Sequence, residues 1–153
     1  MPNFLFNEGS LELPAHWEDM TVQRFHLPGT DSAGPASLSI TREICAPDKA
    51  FADFIEEKLQ QYSNFPNFQL LMRRDINEPL TYCWLDYTWQ PDEERTIFVR
   101  QVIYESRPYH LNFTLDTTPE DKPVHSPSWR EMIRSVQLRA SVINGELQIS
   151  PES

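Results

Sequence analysis

The side chains able to do chemistry are few and scattered. Cys45 and Cys83 are the two candidate nucleophiles, and His16, His26, His110 and His125 are the four candidate bases. A nucleophilic thiol needs a histidine within reach and an electropositive setting that favours thiolate. Cys83 instead lies in the aromatic run Tyr82-Cys83-Trp84 and reads as a core thiol. Cys45 stands in a loop before Pro47, and the same reading applies. No Cys or His has another within two to four residues, so no zinc site is predicted. There is no G-x-S-x-G elbow, and Gly29 and Gly34 flank a loop without a phosphate-cradling G-x-x-x-x-G-K pattern. A Ser-His-Asp triad is a spatial constellation, which counting leaves open. Glu56-Glu57 and Asp92-Glu93-Glu94 read as a solvated helix face and a charged turn, because adjacent helical residues diverge. The chain is therefore read as a binding protein with no catalytic, cofactor or metal site.

The elements that would carry such a binding surface are mostly strands. Phe4–Phe6 and Ser10–Leu13 flank a turn at Asn7-Glu8-Gly9, and Thr21–Leu27 and Ser37–Glu43 follow. Pro47-Asp48 opens a predicted helix that runs to about Tyr62. Its apolar stripe is Phe51, Phe54, Ile55 and Leu59. Phe68–Ile76, Thr81–Trp89, Thr96–Glu105 and Tyr109–Leu115 are four further strands with short connectors, which predicts antiparallel pairing. Ser126-Pro127 supplies an N-cap and a first-turn proline for a second helix carrying Trp129, Met132, Ile133 and Val136. The expected fold is α+β: one antiparallel β-sheet flanked by two α-helices, in a single domain over residues 1–140. Residues 141–153 are read as a weakly structured tail or a short hairpin around Asn144-Gly145.

Charge narrows the partners. The 153 residues carry a net charge of −10, and the densest basic spot is Arg73-Arg74, followed at once by Asp75. Nucleic-acid backbones and anionic membrane surfaces both require a basic stripe, so neither is an expected partner. Met1 to Phe6 lacks the charged and apolar regions of a signal peptide, and no apolar run approaches the ~20 residues of a membrane span. Two lone cysteines then read as reduced thiols, and the expected location is the cytosol.

Strand alternation suggests where binding happens. Ser37, Ser39 and Thr41 share one face of their strand, with Leu38 and Ile40 on the other. In the strand over 96–105 both faces are largely apolar: Ile97, Val99, Gln101 and Ile103 on one, Phe98, Val102 and Tyr104 on the other, interrupted by Arg100. Both faces should be covered. The two helices can cover one, leaving the other for a second copy or a client. Hydroxyls and a glutamine within an apolar surface suit a hydrophobic helix, since helices in lipid associate through small residues and Ser, Thr, Asn and Gln hydrogen bonds. An ordinary sheet face with hydroxyls on its wet side explains the same alternation.

An ordered series of motifs adds to this. Phe6-Asn7-Glu8-Gly9, Leu11-Glu12-Leu13-Pro14 and Trp17-Glu18-Asp19 resemble the opening of DcrB-related proteins, within them the Eag chaperones of bacterial type VI secretion. The resemblance continues through Phe25-His26-Leu27-Pro28, Phe51-Ala52-Asp53-Phe54, Leu85-Asp86-Tyr87-Thr88-Trp89-Gln90, Arg100-Gln101-Val102, Thr117-Thr118-Pro119 and the Trp129 helix. It covers nearly the whole chain in the same order.

The resemblance implies a PsbP-like fold, a homodimer, and a cytosolic chaperone without enzymatic activity. The implied client is the N-terminal transmembrane segments of a PAAR-containing effector, often of the Rhs kind, held until the effector is loaded on the secretion spike. The implied groove comprises Val22, Ser37, Ser39, Thr41, Val99, Gln101 and Ile103. Val22, Val99 and Ile103 would shield apolar client surface at about 25 cal/mol per Å2, and the hydroxyls and Gln101 would hydrogen-bond its polar groups. Arg24 and Lys58 are expected at the rim or pointing away, because an unpaired charge in an apolar groove is costly. A DcrB-like structural domain with an envelope role is the alternative, and a small hydrolase a third.

Overall fold

Crossing a sheet from one side to the other requires a long connection, and the longest in this chain holds the first helix. The computed structural model describes residues 3–6, 8–17, 20–107 and 109–139. Strands β1 (Asn3–Phe6) and β2 (Gly9–Glu12) form an antiparallel hairpin around the expected turn. The main sheet contains β3 (Gln23–Leu27), β4 (Ala36–Ile44), β5 (Gln69–Ile76), β6 (Tyr82–Trp89), β7 (Ile97–Tyr104) and β8 (Tyr109–Thr117). Their spatial order is β3-β4-β8-β7-β6-β5, every pair antiparallel. Helix α1 (Phe51–Tyr62) joins β4 to the far edge strand β5, so it must pass over β8, β7 and β6. The meander β5 to β8 then walks back to pair with β4. Helix α2 (Lys122–Arg134) follows β8 and packs on the opposite face.

The helices therefore divide between the faces rather than sharing one. Beneath α1, Ile55 meets Cys83, Leu85, Tyr87, Val99 and Ile103, with Phe51, Phe54 and Leu59 around them. Beneath α2, Trp129 and Ile133 meet Phe98, Val102, Tyr104, Leu111 and Leu115. This corrects the expectation that one face awaits a partner along its whole width. Both sides of β7 are apolar because a helix lies on each.

Both helix starts differ from expectation. The Lys49 N–H closes a turn on the Ala46 carbonyl, so Pro47-Asp48 forms a bend and α1 begins at Phe51 after an Ala50 N-cap without a side-chain bond. Helix α2 begins before Ser126. Thr118 Oγ1 donates to Asp121 Oδ2 and accepts the Asp121 N–H, setting the entry turn, and Pro123 occupies the first turn. Pro127 then lies inside the helix, where its missing N–H forfeits one bond to the preceding turn. The predicted tail over 141–153 and its hairpin at Asn144-Gly145 lie outside the described residues.

Candidate functional site

Strand register brings the predicted residues into three parallel rows on the α1 side of the sheet. One row runs Arg24, Ser39, Thr114, Gln101, Leu85 across β3, β4, β8, β7 and β6. The next runs His26, Ser37, Asp116, Val99, Tyr87. The third runs Thr41, Asn112, Ile103, Cys83 from β4 to β6. Six of the seven predicted groove residues thus share one face, because alternation of period two keeps them in phase. Val22 lies one residue before β3 and is exposed.

Helix α1 splits this face. It buries Val99, Gln101 and Ile103 to 4%, 2% and 0% exposure, while Ser37 and Thr41 stay half-buried and Ser39 is buried beneath Arg24. Val99 and Ile103 consequently pack against the α1 core and do not line the open surface. The open part is the β3–β4–β8 half, with Ser37, Thr41 and Thr114 on it. Among the described residues, the Ser37 and Thr41 hydroxyls have no hydrogen-bond partner.

Gln101 works from behind. Its Nε2 donates to Tyr62 Oη at 2.8 Å and to Asn112 Oδ1 at 2.9 Å, and its Oε1 accepts from Tyr87 Oη at 3.5 Å. Asn112 Oδ1 also accepts from the Thr114 hydroxyl at 3.3 Å. A relay of neutral hydrogen bonds thus runs from α1 along this face of the sheet to the open hydroxyl surface. Burial raises the pKa of Tyr62, against the opposing pull of Lys58, and raises that of Tyr87 as well, so both remain protonated phenols.

The charged residues on this side depart from expectation. Arg24 stays exposed on β3, and its Nε donates to Ser39 Oγ at 3.3 Å. Lys58 is neither at the rim nor turned away: it is 8% exposed, paired with Glu43, and its ammonium stands over the Phe54 and Tyr62 rings at 5.4 and 5.5 Å. Pairing is what makes its burial tolerable. Glu43 Oε2 is buried without a hydrogen-bond partner among the described residues. Its alternation with Thr41 is the one signal that could have added it to the predicted set. His110, one of the four candidate bases, is 0% exposed under the Phe51 and Phe54 rings. Burial, aided by Arg107, lowers its pKa to about 4, so the ring is neutral and its Nδ1 accepts the Ser106 N–H.

The thiols behave as packing groups. Cys83 is fully buried and its pKa is pushed up to about 12 by burial, which leaves no thiolate at neutral pH. Cys45 is buried where β4 ends, with Arg107 Nη1 at 2.8 Å. Among the described residues, no three His, Cys, Asp or Glu side chains converge on a possible metal position. No described helix is long and apolar enough to cross a membrane.

On the α2 side the same half of the sheet is apolar. Phe25 and Leu27 on β3 are 57% and 54% exposed, and Met132 on α2 is 40% exposed. They border two adjoining hollows of about 470 and 270 Å3, floored by Leu38, Ile40 and Leu115.

The fold, an antiparallel sheet with one helix on each face, is PsbP-like. The solution structure of cyanobacterial PsbP from Synechocystis sp. PCC 6803 superposes with a TM-score of 0.51 at 12% identity, covering 84% of this chain and 99% of that one, a likeness of fold alone. The chain belongs to the DcrB family, whose sequence profile matches residues 8–135. It is 37% identical over 138 residues to a Pseudomonas aeruginosa protein named Effector EagT6, covering 89% of this chain and 95% of the relative. The crystal structure of a P. aeruginosa protein of unknown function, PA94, also matches at 37% identity, with a TM-score of 0.78 over 91% of this chain and 97% of that one. Within its family the chain thus stands with the Eag proteins.

Proposed function

We propose that this protein is a type VI secretion chaperone that shields the N-terminal transmembrane segments of a PAAR-containing effector, of the Rhs kind, in the cytosol before the effector is loaded. The observation that carries the reading is the half of the α1 face left open beyond the helix. Ser37 and Thr41 offer unpaired hydroxyls there, backed by the Gln101–Asn112–Thr114 relay. Such hydroxyls can bond backbone carbonyls and polar side chains of a client helix without disturbing its internal ladder. The dimensions agree. The nine residues of β4 extend about 30 Å, the length of a ~20-residue helix. Kinship with the Eag proteins supports the assignment to type VI secretion.

A second copy of the chain completes the reading. The apolar hollows beside Phe25, Leu27 and Met132 offer aromatic and aliphatic anchors next to the edge strand β3. A self-complementary dimer would cover this flank and leave the hydroxyl face for the client.

Co-expression with a PAAR effector encoded beside this gene tests the function. The effector's N-terminal region should accumulate in soluble form only when the protein is present. Equal abundance and solubility in its absence would refute the reading.

A further inference from the structure

Charges that are dispersed along the sequence converge on the other side of α2. A hollow of about 700 Å3 separates that helix from the β5–β6 edge of the sheet. Among the described residues, five cationic side chains line it, Arg74, Arg100, Lys122, Arg130 and Arg134, against a single carboxylate, Asp86. The chain as a whole carries 23 acidic and 13 basic side chains, so this inversion is local.

Asp86 cannot balance the hollow. Both of its oxygens are bound by Arg100, at 3.0 and 3.1 Å, and Oδ1 also accepts from Trp84 Nε1 at 3.0 Å. Arg74 and Arg130 have no hydrogen bond or ion pair among the described residues. The Lys122 ammonium stands over the Phe98 ring, 4.6 Å from its centroid, and has no ion pair among the described residues. Arg134 has an exposed partner, Glu131, one helical turn back, a pair of the kind that contributes little. Clustered like charges repel, and an anion that neutralises them gains charge-assisted hydrogen bonds.

The shape selects among anions. Lys122 and Arg134 stand at the two ends of α2, so the cationic wall runs along about 18 Å of helix. Arg74 faces that wall from β5, beside Trp84. Apolar and aromatic side chains share the lining with them, Leu80, Tyr82 and Trp84 on the sheet side and Ile133 and Val136 on the helix side. An extended peptide of five or six residues spans about 18 Å, and an alternating acidic–apolar sequence would match both parts of the lining. A compact phosphate compound would leave most of this trough unused.

We infer that the trough between α2 and β5 binds an acidic, partly apolar peptide segment of a partner protein. This site lies away from the hydroxyl face and does not depend on the client proposed for that face.

The test is fluorescence anisotropy with a labelled eight-residue peptide alternating Glu and Leu. Saturable binding is expected. It should weaken about tenfold or more in Arg74→Glu/Arg130→Glu, and also fall between about 50 and 300 mM salt. Arg74→Gln/Arg130→Gln should fall in between. Lys49→Glu, a change to a half-buried side chain paired with Glu57 and remote from the trough, should bind like the unmodified chain. Melting temperatures establish that each variant is folded. Absence of saturable binding, or equal affinity in the Arg74/Arg130 variants, would overturn the inference. So would pyrophosphate binding that needs Arg74 and Arg130 while the peptide fails to bind, because the ligand would then be a phosphate compound.

Discussion

Arg100 and Gln101 are neighbours on β7, both almost fully buried, and each ties a helix to the sheet from an opposite face. Arg100 donates to Ser126 on α2 at 3.0 Å and to Asp86 on β6. Gln101 donates to Tyr62 on α1 at 2.8 Å and to Asn112 on β8. The first arrangement is a closed ion pair, sandwiched among Trp84, Phe98 and Trp129. The second is neutral and passes on through Asn112 to Thr114 at the open surface. The difference teaches that equal burial can serve different ends. One residue locks its face, and the other supports a surface that remains available.

The largest expected effect comes from breaking the lock. Arg100→Leu strands a buried carboxylate and should cost about 3–5 kcal/mol, read by urea unfolding. Arg100→Leu/Asp86→Leu should recover much of that loss, because no unpaired charge remains. Gln101→Leu should cost less, about 2 kcal/mol, since neutral Tyr62 and Asn112 groups lose their donor. If the two single variants were equally destabilised, the contrast between charged lock and neutral relay would fail.

Acid distinguishes the faces more gently. His110, packed under α1 near Arg107 and Lys58, is held neutral with a pKa of about 4. The unfolded chain binds this proton from near pH 6.5, so stability is fully present above that value. It declines as pH falls through the window down to about 4. The loss attributable to His110 should be about 1.4 kcal/mol at pH 5.5. Urea midpoints at pH 8 and 5.5 should therefore converge more closely for His110→Gln than for the unmodified chain.

Surface changes should move stability least, within about 0.5 kcal/mol, yet separate the two flanks of β4. Phe25→Glu/Met132→Glu should convert the proposed dimer to a monomer by light scattering while client binding persists. Ser37→Leu should do the reverse. Loss of client binding in the first variant alone would exchange the two assignments.

Much of this contrast was legible in the chain. Period-two alternation put Ser37, Ser39 and Thr41 in phase, and short connectors at 77–79, 90–94 and 106–108 announced the antiparallel meander. Alternation cannot say which strands a helix will cover. That depends on the β4–α1–β5 crossover, which sweeps over β8, β7 and β6 and buries Val99, Ile103 and His110. The start of α2 was masked for a related reason. Ser126-Pro127 is a good helix opening by type, but the Thr118–Asp121 turn and Pro123 begin the helix earlier, and Ser126 serves Arg100 instead. The cationic trough had no sequence signal, because Arg74, Lys122 and Arg130 meet only through the sheet's pairing and the position of α2.

The central claim is that a client helix lies on the hydroxyl face, and site-specific photocrosslinking tests it directly. A photoreactive side chain at Ser37 or Thr41 should crosslink to the effector's N-terminal transmembrane segments, while one at Met132 should crosslink to a second copy of this chain. Crosslinks to the client from Met132, with none from Ser37 or Thr41, would contradict the account.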